Sequence, residues 1–202
     1  MEETMRRVAI ALSFAVLPVS AVMAQIGNPA GMAPDTRFEA PGKPAPNQTN
    51  YQDRLFAKLT AAGGMAEVEF GNLAAERAGN SGVKDFAQRM VEDHGKANDT
   101  LKGLADASKI PLPDELDPDH QRQRADLARL EGAEFDLAYM RGQIVDHQKT
   151  VQLLIWEIGS GQDAEIQRFA AATLPTVLRH LGMARDLTTE LASETIAARN
   201  AN

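Results

Sequence analysis

The chain has no cysteine. Disulfides are excluded, so the fold must be held by its core. A lipid-anchored lipoprotein is excluded as well. Any metal site must draw on histidine and carboxylate ligands. Positive charge is also scarce: 21 Lys and Arg stand against 28 Asp and Glu, a net charge of −7. Phosphate recognition needs clustered Lys and Arg, so nucleic acid is a poor partner. Binding to anionic lipid is disfavoured for the same reason. No Gly-rich phosphate loop is present, and no serine is placed to suggest Ser/His/Asp chemistry. The alternating strands of a membrane barrel are missing. What remains is 202 residues, enough for one domain, with a strong helical period.

The N-terminus reads as an export signal. Arg6 and Arg7 precede an apolar run from Val8 to Val22, then Met23-Ala24, a small residue before the cut. The run is short for a membrane span, and no stable membrane insertion is expected after cleavage. Glu2 and Glu3 are unusual in such a segment, so Met1 and Met5 both stand as starts. Removing residues 1–24 takes away two basic and two acidic residues and leaves the charge at −7. The predicted location is the periplasm. Residues 25–50 hold five prolines and no apolar period, and read as a flexible leader.

Four long helices follow. The first, about 51–78, places Leu55, Leu59, Ala62, Ala66, Glu69/Phe70 and Leu73 at steps of three and four. Gly63-Gly64 interrupts it and suits close helix approach. The second, about 82–108, carries Val83, Ala87, Met90, His94, Ala97, Leu101, Leu104 and Ser108 on one seam. Asp117-Pro118 opens a short helix of about 118–131, with His120 in an exposed first turn. The third long helix, about 133–160, aligns Ala133, Leu137, Met140, Ile144, His147, Val151, Leu154 and Ile158. Ser160 and Asp163 have capping-box spacing. The fourth, about 162–193, aligns Ile166, Ala170, Thr173, Val177, His180, Ala184, Leu187 and Leu191, with Pro175 inside it. That proline is either a tolerated kink or a bend that aims His180 inward. Residues 194–202 read as a disordered tail. The prediction is an all-α, ferritin-like four-helix bundle over 51–193, with a short extra helix between the second and third long helices. The linker is long enough for a crossover, and an up-down-up-down arrangement also fits.

Three seam positions hold histidine where Leu, Ile, Val or Ala is usual. A buried imidazole must satisfy its ring nitrogens or lose roughly 1–3 kcal/mol for each unmet group. His94, His147 and His180 lie on three helices, and Glu67 and Glu69 lie on the other. In a compact bundle these positions could fall within about two helical turns of one another, which permits one site. Facing helices of a bundle can build a metal site in this way. Imidazole with carboxylate suits zinc, iron, copper or manganese. The di-iron signature, Glu three residues before His, is absent, because Val91, Ile144 and Val177 occupy those positions. One metal therefore fits better than two. Asp93 and Asp146 precede their histidines and point about 100° away, as supporting or interhelical partners or as solvated acids. Phe70, Phe86, Phe135, Tyr139, Trp156 and Phe169 are spaced for core or core edge.

The stretches Phe86-Ala87-Gln88-Arg89-Met90-Val91-Glu92-Asp93-His94, Phe135-Asp136-Leu137-Ala138-Tyr139, Asp146-His147-Gln148-Lys149, Thr173-Leu174-Pro175 and His180-Leu181, with Gly64 to Glu69 in the first helix, together resemble the DUF4142 family. The resemblance implies an exported bacterial protein with a ferritin-like bundle. It also implies that the histidine and acidic positions form a shared site. It supplies no reaction. Two functional readings stand. One is metal binding in metal handling or stress protection. The other is a non-catalytic structural or interaction module of the cell envelope, whose histidines only form a buried hydrogen-bond layer.

Overall fold

The computed structural model describes residues 49–200. The segment expected to be a signal peptide, residues 1–24, and nearly all of the expected leader lie outside the described residues. Five helices follow: α1 (Tyr51–Arg77), α2 (Ser81–Ala107), α3 (Pro118–Leu127), α4 (Gly132–Ser160) and α5 (Ala164–Asn200). No strand occurs among the described residues.

Local chemistry sets the boundaries. Asn50 and Asp53 form a reciprocal capping box at the start of α1. The Asn80 side chain accepts from the Gly82 and Val83 amides and starts α2. Asp117 caps α3, with Pro118 in its first turn. The cap of α5 differs from the sequence reading. Asp163, rather than Ser160, accepts from the Glu165 and Ile166 amides at 2.9 and 3.1 Å. Ser160 stays within α4, because helical bonding continues to Gly161 N–H → Glu157 C=O. The short helix also ends earlier than expected, at Leu127 rather than 131, and turns at Gly132 with φ +55°. At the other end, α5 runs to Asn200, through the segment expected to be a disordered tail.

Two apolar clusters fix the topology. One joins Leu55, Phe56 and Leu59 of α1 with Leu101 and Ala105 of α2, Leu153 and Leu154 of α4, and Ile166 and Phe169 of α5. The other joins Phe70 and Ala74 with Val83 and Phe86, Phe135 and Tyr139, and Ala184 and Leu191. Hence α1 and α5 run one way, and α2 and α4 the other. Helices α1 and α2 form one hairpin, α4 and α5 a second; α1 also packs on α4, and α2 on α5.

The connection from α2 to α4 must therefore climb the bundle. Ile110 belongs to the first cluster and Leu127 to the second. This is the single long crossover of ferritin-like bundles, and it settles the connectivity that the linker length left open. His120 is a correction. It is 8% exposed rather than a surface residue. Helix α3 lies along the bundle, so its first turn faces Phe70, whose ring meets that of His120 at 6.1 Å. The Asp117 carboxylate holds His120 Nδ1.

Candidate metal centre

Between the two apolar clusters lies a polar layer. His94 of α2, His147 of α4 and His180 of α5 are 8%, 1% and 2% exposed. Each pair of ring centroids is 5.5 Å apart, a near-equilateral triangle. One ring nitrogen from each lies within 4.8 Å of the others.

Hydrogen bonding divides the nitrogens into two kinds. His147 Nδ1 donates to the Gln143 carbonyl at 2.9 Å, one turn earlier on α4. His180 Nε2 donates to Asp93 Oδ2 at 2.9 Å, across from α5 to α2. Those bonds fix the tautomers, and leave lone pairs on His147 Nε2 and His180 Nδ1. Both of these atoms are buried without a hydrogen-bond partner, as is His94 Nε2. The imidazoles do not satisfy one another.

Burial pushes all three toward the uncharged form. Desolvation lowers His94 well below its usual value, reinforced by His147 and His180. Desolvation and the His180 ring take His147 down to about 4. His180 is lowered chiefly by desolvation, with the Asp93 bond opposing. A neutral imidazole lone pair is the form that ligates a metal. Three atoms no more than 4.8 Å apart share a point within about 2.8 Å of each, so metal–nitrogen bonds of about 2.0–2.1 Å need a closure of under 1 Å. The triad could hold one metal ion.

The carboxylates fall differently. Glu67 is buried in the layer, but it faces His147 Nδ1 at 3.5 Å, the side away from the free nitrogens. Gln143 Nε2 donates to Glu67 Oε2 at 2.8 Å. Desolvation, then the Asp146 charge, raise Glu67 to about 8, against that bond. Glu69 is not brought to the layer. It lies two residues on, about 200° around the helix, half exposed and paired with Arg124 of α3 at 3.3 Å. Asp93 supports His180, whereas Asp146 meets no histidine and accepts from Gln123 Nε2 at 3.0 Å. Gln143 is a further layer residue that the sequence reading passed over. Its signal was a polar residue one turn before His147.

The class of protein is thus an all-α four-helix bundle with one crossover and a buried triad of histidines. The chain belongs to the DUF4142 family, described as a domain of unknown function, whose model matches residues 38–187. No curated protein matches it. Two solved structures are similar. A DUF305 fragment from Deinococcus radiodurans has a TM-score of 0.63 at 14% identity, covering 71% of this chain and 99% of its own. A "putative secreted protein DUF305" from Streptomyces coelicolor has a TM-score of 0.62 at 15% identity, covering 73% and 95%. At these identities the likeness concerns the fold alone.

Proposed function

We propose that the protein binds one divalent transition metal through His94 Nε2, His147 Nε2 and His180 Nδ1, in the periplasm, for metal handling or stress protection. One observation carries this reading: each of three clustered histidines has a buried ring nitrogen without a partner, while the opposite nitrogens of two rings are held by Gln143 and Asp93. A purely structural layer would be expected to pair those nitrogens. Glu67 is read here as a partner behind His147 rather than a ligand, and Glu69 is left out of the ligand set. Three imidazoles suit zinc, copper, iron or manganese. A bound ion would supply positive charge. The chain's own residues orient the rings and exclude water.

Export is read from Arg6, Arg7 and the apolar run to Val22. One structural neighbour carries the description "putative secreted protein", and no helix of the described residues is long and apolar enough to cross a membrane.

The test is elemental analysis of untagged protein, then thermal melts with zinc, copper, iron and manganese. Metal at 100 times its dissociation constant should stabilise by about 2.7 kcal/mol. His147→Leu should abolish that gain. A metal-free wild type whose melting temperature none of the four ions raises would sink the reading. The bundle would then be a structural module, in which His147→Leu is neutral or stabilising.

A further inference from the structure

At the end of the bundle where α1 begins and α4 turns into α5 sits a buried acid that the metal centre does not use. Glu157, in the last turn of α4, is 0% exposed. Both of its carboxyl oxygens are buried with no hydrogen-bond partner, so no Lys, Arg or His of the described residues neutralises it. Its carboxyl group fills the space that a side chain on Gly161 would take. A Cβ there would lie 2.6 Å from Glu157 Cδ.

Asp53 of α1 reaches the same turn and is equally buried. Its Oδ2 accepts from the Asn50 amide at 3.0 Å. Its Oδ1 accepts from the Gln162 and Asp163 amides at 2.8 and 3.3 Å. One carboxylate thus ties the start of α1 to the α4–α5 turn. Asp53 is met by three amide donors and Glu157 by none, so the proton belongs on Glu157. Burial, then the charge of Asp53, push the Glu157 carboxyl up to about 8, and Asp163 adds to this. The charged groups acting on it are therefore Asp53 from α1 and Asp163 from the turn, both acidic. Among the described residues, α2 and α5 bring none.

We propose that Glu157 and Asp53 form a pH-sensitive latch. The proton on Glu157 lets both carboxyl groups stay inside, and its loss opens the α4–α5 turn and the first turn of α1 while the rest of the bundle stays folded. Local opening of this kind needs only a small cooperative unit. Once solvated, Glu157 is an ordinary acid, so opening releases one proton. The opening constant must then rise about tenfold per pH unit between 4.5 and 8, and level off above 8. Glu157 lies nearly three turns of α4 beyond His147. The latch therefore goes beyond the metal reading and survives its failure.

The test is amide hydrogen exchange of the metal-free protein by NMR from pH 6 to 9, with rates corrected for hydroxide catalysis. Protection of the Gln162 and Asp163 amides should fall about tenfold per pH unit up to pH 8 and then level. The Gly79 and Asn80 amides, held by Asp136 at the opposite end, should not follow. Glu157→Gln keeps the shape and cannot titrate, so protection in it should be flat with pH. The carboxyl carbon shift of Glu157 in the wild type gives a second readout, with a midpoint near 8. Flat protection in the wild type, the same slope in Glu157→Gln, an equal fall at Gly79 and Asn80, or a carbon shift that moves near pH 4.5 would each overturn the proposal.

Discussion

Glu67 enters the core with its proton. Its pKa is raised to about 8 from 4.5, so between those values the native protein binds more protons than the unfolded chain. Stability must then fall as pH rises through that window. The histidines act in the opposite sense and elsewhere. Their native values lie below 6.5, so they remove stability as pH drops below 6.5. From pH 6.5 to 8 the carboxyl contribution stands alone, joined by Glu157, which burial and then Asp53 also raise to about 8. Metal-free protein should therefore melt at progressively lower temperature from pH 6.5 to 8.5. Glu67→Gln should gain on the wild type by up to about 1.4 kcal/mol per pH unit across the window. Parallel melting curves for the two proteins would refute this. The seam histidines were legible in the sequence, because steps of three and four fix an inward face. Glu67 and Glu69 were not separable there. The first helix buries small residues over a wide arc, from Ala57 through Gly63 to Ala66, so its stripe has no sharp edge. Nor could the like pairs Asp93-His94 and Asp146-His147 be told apart, since only the packing gives Asp93 an imidazole and Asp146 an amide.

The close pairing of α1 and α2 rests on glycine, though not where the double glycine alone suggested. A Cβ at Gly71 would meet Val91 Cγ2 at 2.8 Å and the Ala87 carbonyl at 3.0 Å. Backbone cannot step aside without moving the helix. A Cβ at Gly64 would strike Asn98 Oδ1, the end of a side chain that can rotate. Gly71→Ala should therefore destabilise by roughly 1–3 kcal/mol through overpacking. Gly64→Ala should be near neutral, because the helix gains about 1 kcal/mol of propensity while Asn98 moves. Urea unfolding of the two variants distinguishes them, and equal losses would contradict the argument. On α4 the strict heptad seam overreached. A straight helix drifts about 20° per heptad from a 3.5-residue repeat. Accordingly Ala133 and Ile158 come out to solvent, while Gln143 and Glu157 turn inward. Helix existence and order were readable because caps and turn residues punctuate the chain. The burial of His120 was not, since it depends on where the crossover lies.

At the scale of the whole molecule, each hairpin leaves an apolar inner face that only the other hairpin covers. Fragments 49–112 and 113–200 should each be poorly helical alone and should fold together when mixed. Circular dichroism and size-exclusion chromatography of the separate and mixed fragments check this; independent folding of either would contradict it. His94 comes from one fragment, and His147 and His180 from the other. Under the metal reading, an ion that the intact chain binds should tighten the association. The crossover direction was not legible, because a linker's length bounds its reach without giving its path. The polar layer has a mechanical meaning as well. It parts the interior into an upper and a lower block of grease, with little but imidazole, carboxyl and amide at the waist. Each block is free to loosen on its own, as separate cooperative units do. A cation gripped at the waist would act as a rivet, and two melting units would become one.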